Sequence, residues 1–294
     1  GIVQVTEDNY DQGNPVIAVD SSDKLYMMVW EDNRQGDWLI YVSTFDGTNW
    51  SPETIVNDPG DNQVNPAPNQ TNPAIVIDGQ NNAHVVWQDD REGNQDIYIA
   101  TSSDGFVTTT VSRITSDISD QVEPAIAADS GNTIYVVWTD TRNNGKKDIY
   151  GAASNNGTWT NVPVVPVVTE EESQSNPAIA TEAVGTVLHL VWLDDTPGDD
   201  DIYYASTSDG LPAAPLTGSS IIDEAGTDQF SPVIATTGST GNGLEVFACW
   251  RDERNAEAEL YAVETTANGT NIYVGNDFTT DDQSQPAIGI DPYN

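Results

Sequence analysis

Short apolar runs separated by polar, turn-rich segments fill this chain, and no stretch of useful length carries apolar residues at helical spacing. The clearest unit is Gln121–Tyr150, which reads as strand, turn, strand, polar loop and strand. It occurs five times. A proline opens an apolar strand at Pro15, Pro73, Pro124, Pro177, Pro232 and Pro286, spaced by 51 to 58 residues. Three residues before each proline stands a glutamine: Gln12, Gln70, Gln121, Gln174, Gln229 and Gln283. The second strand of every full copy ends on a tryptophan: Trp30, Trp87, Trp138, Trp192 and Trp250. Such segments, Ile134–Trp138 for example, are apolar throughout, which means burial on both faces. Two residues on comes an aspartate (Asp32, Asp89, Asp140, Asp194, Asp252). Two further on comes an arginine (Arg34, Arg91, Arg142, Arg254), except in the fourth copy, which has Thr196. The third strand opens on Asp-Ile-Tyr or a variant, and turns such as Asp46-Gly47 and Asp209-Gly210 lead to a weaker fourth strand.

Four antiparallel strands recurring at this period predict an all-β fold, a β-propeller of four-stranded blades. The expected arrangement is one propeller domain over 1–294. Its blade repeats span about 12–57, 70–116, 121–169, 174–223 and 229–276. Segments 1–8 and 283–294 read as outer and inner strands of a partial blade. The expectation is therefore a six-bladed plan with five complete blades and an incomplete closing one, with a five-bladed ring as the alternative.

Charge changes the picture of partners. Asp plus Glu number 47 against 9 Lys plus Arg, for a net charge of −38. Such a surface excludes nucleic acid and anionic membranes as partners, and no apolar run is long enough to span a bilayer. The single cysteine, Cys249, sits in an apolar run and can form no disulfide within the chain. Few lysines and many Asn, Thr, Ser, Gly and Asp predict a secreted or cell-surface protein. No cofactor is required by any motif. Ca²⁺ is a possible ligand of the acidic loops, since its ligands are oxygens, though no segment has the spacing of an EF-hand.

The repeated residues read as scaffold. A buried aspartate needs a cation nearby, so Trp-x-Asp-x-Arg is expected to pin the loop between second and third strands. The other reading is a ring of arginines gripping an anionic sugar. The glutamines are expected to satisfy backbone groups where loops enter the ring. His84 and His189 share a slot with Met27, Tyr135 and Phe247 and are expected to pack rather than catalyse. Asymmetry is the better guide to a binding site. It falls on the long connector 57–72, with Asp61, Asn62 and Gln63, and on Asp194, Asp195 and Thr196, where the arginine is missing.

Pro-Ala-Ile-Ala-x-Asp, Tyr-Val-Val-Trp-x-Asp-x-Arg and Asp-Ile-Tyr together resemble the sialidase-like, Asp-box propeller repeats of bacterial and archaeal surface proteins, over nearly the whole chain. TolB-like propellers are a more distant resemblance. Ser43–Trp50 is nearest to an Asp-box, followed by the segments around Asp104-Gly105 and Asp209-Gly210. The resemblance implies that these are structural turns away from the active face. The sialidase arginine triad is not matched: the entry to the first strands reads Asn-Pro-Val-Ile or Asn-Pro-Ala-Ile, and Arg113-Ile-Thr lies on a fourth strand. No catalytic residue carries over. The expected function is thus a non-catalytic extracellular module for adhesion, assembly or carbohydrate and protein binding. Its expected partners are a glycan, a surface protein, or a second copy through the incomplete blade. The alternative is a sialidase-like glycoside hydrolase or lyase with paired carboxylates in a pocket on one propeller face.

Overall fold

The computed structural model describes residues 4–6, 9–20, 26–56, 68–155, 157–182, 184–195, 198–221, 227–237, 245–253, 259–265, 272–273 and 285–288. Strands β1 (Gln12–Val19), β2 (Tyr26–Asp32), β3 (Leu39–Phe45) and β4 (Thr54–Ile55) form the first sheet. The second holds β5 (Gln70–Ile77), β6 (Ala83–Asp89), β7 (Asp96–Ser102) and β8 (Thr110–Arg113). The third holds β9 (Gln121–Ala128), β10 (Thr133–Asn143), β11 (Lys146–Asn155) and β12 (Val165–Val168). The fourth holds β13 (Gln174–Thr181), β14 (Leu188–Asp194), β15 (Asp201–Ser206) and β16 (Ser219–Ser220). The fifth holds β17 (Gln229–Thr236), β18 (Val246–Asp252), β19 (Glu259–Glu264) and β20 (Ile272–Tyr273). Every pairing is antiparallel in sequence order, and the result is a five-bladed β-propeller with no helix among the described residues.

The five complete blades of the expectation are built, as the five-bladed alternative also has it, and the segments assigned to an incomplete closing blade lie largely outside the described residues. Of these segments, residues 4–6 and 285–288 are described and form no strand. The sixth repeat supplies a first-strand sequence at Pro286. Gln285 has φ 56°, the left-handed conformation that Asn14, Asn72, Glu123, Asn176 and Ser231 adopt just before the prolines of the other copies. In each blade the first-to-second-strand ladder slips near this position. A left-handed residue at a bulge strengthens the local bend, and asparagine tolerates it best.

The apolar second and third strands are buried because blades stack face on face. One cluster joins Val29, Ile40 and Val42 of the first blade to Val85, Trp87 and Tyr98 of the second. Three further clusters repeat the arrangement through Trp138, Trp192 and Trp250. The fifth cluster, Trp30, Leu39 and Tyr41, gathers only first-blade residues with Val5 of the N-terminal segment. The inner strand of that blade is correspondingly open. Pro15 is exposed where Pro73, Pro124, Pro177 and Pro232 are buried, and Ile17 is 54% exposed.

Candidate active site

Antiparallel register places each glutamine directly across from the aspartate that ends the neighbouring strand. The pairs are Gln12 with Asp32, Gln70 with Asp89, Gln121 with Asp140, Gln174 with Asp194 and Gln229 with Asp252. One end of every blade therefore carries a row of polar side chains on otherwise apolar strands. The loops entering the first strand and joining the second to the third both emerge there.

Most of this row is occupied by the scaffold. All five aspartates are fully buried, and each accepts the indole N–H of its own tryptophan at 3.0–3.2 Å. Arg34, Arg91 and Arg142 each donate Nε to Oδ1 at 2.9 Å and Nη2 to Oδ2 at 2.5–2.6 Å of that aspartate, and their backbone N–H to Oδ1. The same guanidiniums lie 4.2–4.4 Å from the ring centres of Tyr41, Tyr98 and Tyr150. Burial pushes the Asp32 carboxyl up. The bonds from Arg34 and Trp30 outweigh it and leave the group below the usual carboxylate range. Gln121, Gln174 and Gln229 are fully buried and donate to the carbonyls of Ser119, Glu172 and Thr227, which ties down each incoming loop. Arg254 and Gln283 lie outside the described residues.

The histidines serve the opposite end. His84 Nε2 lies 3.1 Å from Asp78 Oδ2 and His189 Nε2 lies 3.3 Å from Glu182 Oε1. In the same slot the Tyr135 hydroxyl donates to Asp129 Oδ2 at 2.9 Å. Burial pushes both histidines down, so they are neutral hydrogen-bonding parts of tight turns. The Asp-box-like segment also holds a turn: Asp46 Oδ1 accepts the N–H groups of Thr48 and Asn49 at 2.9 and 2.8 Å.

Asymmetry appears in the fourth blade. Asp194 ends the second strand and Asp195 follows it, while Asp200 precedes Asp201 at the start of the third, beside Asp228 of the next blade's entry. The backbone N–H of Asp200 points at Asp228 Oδ1, 3.4 Å away, and its carbonyl accepts the Gln229 N–H at 2.8 Å. Burial raises the Asp200 carboxyl. The negative charges of Asp195 and Asp228 raise it further, with Asp194 contributing less and Lys147 opposing. This carboxyl therefore holds its proton to higher pH than an ordinary aspartate. Among the described residues the Asp195 carboxylate makes no hydrogen bond, and its backbone bonds to Ser173 and Gly198 fix its position. Thr196 lies outside the described residues, as do Asp61, Asn62 and Gln63 of the long connector. Asp194 and Asp195 are thus brought to one place with Asp200 and Asp228, which the sequence reading did not single out. The signal available was the run Asp199–Asp201 next to the missing arginine. No group of three His, Cys, Asp or Glu side chains among the described residues could hold a metal ion, so the acidic loops described here offer Ca²⁺ no ready-made site.

No family model and no curated protein matches this chain. Solved structures do. A protein of unknown function from Dyadobacter fermentans superimposes with a TM-score of 0.66 at 11% identity, over 95% of this chain and 87% of that one. An α-L-arabinanase from Penicillium chrysogenum, complexed with arabinobiose, gives 0.64 at 17% identity over 90% and 82%. The Hadza microbial sialidase gives 0.53 at 12% identity, covering 86% of this chain and 58% of that protein. These likenesses establish the propeller fold. They also correct the expectation of a non-catalytic module for adhesion, assembly or carbohydrate and protein binding. That reading rested on the symmetry of the repeats, and symmetry is a property of a scaffold that glycan-cleaving enzymes share.

Proposed function

We propose that the chain is a glycan-cleaving propeller of the glycoside hydrolase type, with its catalytic carboxylates at the junction of the fourth and fifth blades. The carrying observation is the raised carboxyl of Asp200 among Asp195, Asp228 and Asp194. Glycoside hydrolysis needs one carboxyl that keeps its proton near neutral pH and a second that stays ionised, set apart by their surroundings. Asp200, whose proton is held more tightly than that of an ordinary aspartate, is assigned the acid, which gives its proton to the departing glycosidic oxygen. Asp195, free of hydrogen bonds among the described residues, fits the base or nucleophile at the anomeric carbon. Asp228 tunes the acid through its charge. Two things support a glycan as the substrate: the fold shared with an arabinanase and a sialidase, and the resemblance of the repeats to sialidase-like propellers. The acidic, lysine-poor composition, rich in Asn, Thr, Ser, Gly and Asp, supports a secreted or cell-surface setting.

The test is a screen of arabinan, xylan, a sialoside and polygalacturonate for released reducing ends. One substrate is expected to be cleaved, with kcat falling at least a hundredfold in Asp200→Asn and in Asp195→Asn, the order expected for removing an acid or base catalyst. Absence of cleavage on all four, or cleavage indifferent to both substitutions, refutes the reading.

A further inference from the structure

A second site lies two junctions away, on the flank of the propeller. A cleft of about 420 Å³ opens between the outer strand β8 and the segment that leads into β12. Arg113, Ser116, Asp117, Arg142, Trp159 and Asn161 contribute to its wall. Arg113 is one of only two arginines outside the repeated position.

Three donors in this wall lack protein acceptors. Arg113 gives Nη2 to Asp96 at 2.7 Å, and its Nε is buried without a partner. Arg142 spends Nε and Nη2 on Asp140, while its Nη1 has no hydrogen bond among the described residues. Trp159 is 5% exposed, and its indole N–H has no acceptor. In the first blade the matching Nη1, that of Arg34, is paired with Glu53, a pairing that Arg142 lacks among the described residues. The Arg113 and Trp159 donors are closed to solvent, whereas the Arg142 side chain is 24% exposed, so the Arg142 guanidinium is the donor group that a ligand hydroxyl in the cleft meets.

Charge selects the ligand class. Both guanidiniums are already neutralised by the fully buried Asp96 and Asp140, and Asp117 stands close enough to Arg142 to feel its charge. With every positive charge matched and a third carboxylate present, the cleft does not attract an anion, and the chain's charge of −38 repels one. Free donors, an amide and an aromatic edge in a cleft of ligand size suit neutral hydroxyls. We propose that this cleft binds a unit of a neutral oligosaccharide, as an accessory subsite that holds a polymer away from the reacting bond. The ligand class rests on the glycan-cleaving reading above.

Binding is measured in the Asp200→Asn background, so that it is read apart from turnover. Arabinotriose, xylotriose and trigalacturonate are titrated while the indole N–H resonances are followed by NMR. That of Trp159 is identified by its loss in Trp159→Phe. The Trp159 resonance is expected to shift with a neutral trisaccharide, and affinity to fall about tenfold in Arg142→Gln and less in Asn161→Ala. Asn161 is paired to no buried charge, so its variant guards against a folding defect in the first. A resonance that stays put with both neutral sugars overturns the proposal, as does tighter binding of trigalacturonate. Binding without turnover by the wild-type chain would sink the catalytic reading and leave this one standing.

Discussion

At the scale of single residues the same side chain, aspartate, is put to opposite uses. Asp32 sits beneath Arg34 with its carboxyl held low, and Asp200 sits among carboxylates with its carboxyl pushed high by burial and charge. The stability consequences have opposite signs. The contribution of Asp32 is present above the unfolded value near 4 and is lost as pH falls through the lower folded value; Asp78, also held low, behaves alike. For Asp200 the favourable regime is the protonated one, and stability is lost as pH rises through its folded value. At pH 7, Asp200→Asn is therefore expected to raise the melting temperature. Arg91→Ala, which strands the buried Asp89, is expected to cost about 3 kcal/mol in urea unfolding, with little rescue by Arg91→Lys because lysine cannot form the fork. Equal and small effects from both changes would contradict this assignment.

At the scale of elements, the repeat shows how much function a sequence hides. Gln, Trp, Asp and Tyr are conspicuous in every copy and Arg in all but the fourth, and register explains them as one bracket across the end of a blade. Their symmetry was legible from spacing alone. The cleft was not, because Arg113 and Trp159 are 46 positions apart and meet only when two outer edges lie side by side. Backbone demands were partly legible: Asn-Pro marks the left-handed bulge in three copies, whereas Glu123 and Ser231 occupy it without advertising it. Asn176→Val is expected to cost about 1–2 kcal/mol, the penalty for a left-handed β-branched residue. Gly218 has a different duty. A Cβ there would come within 2.3 Å of the fully buried Trp192 ring, so Gly218→Ala is expected to lower stability measurably by thermal melting and to loosen the fourth blade.

At the scale of the molecule, blade-on-blade packing governs order. The inner strands β5, β9 and β13 each lie between two blades, while β1 leaves Pro15 and Ile17 exposed. Amide exchange is expected to be faster along β1 than along β9 and β13; equal protection would show that the first blade is covered as fully as the rest. The period announced the propeller and its five complete blades, while the segments read as an incomplete closing blade lie largely outside the described residues. The proposed catalytic carboxylates sit where the symmetry fails, at the fourth-blade loop. The sharpest measurement is the pH dependence of kcat/KM on the glycan that is cleaved, for the wild-type chain and Asp228→Asn. Removing the charge of Asp228 relaxes the Asp200 carboxyl, so the alkaline limb of the profile is predicted to move to lower pH with the acid limb in place. An alkaline limb that does not move would mean that Asp200 is not the acid.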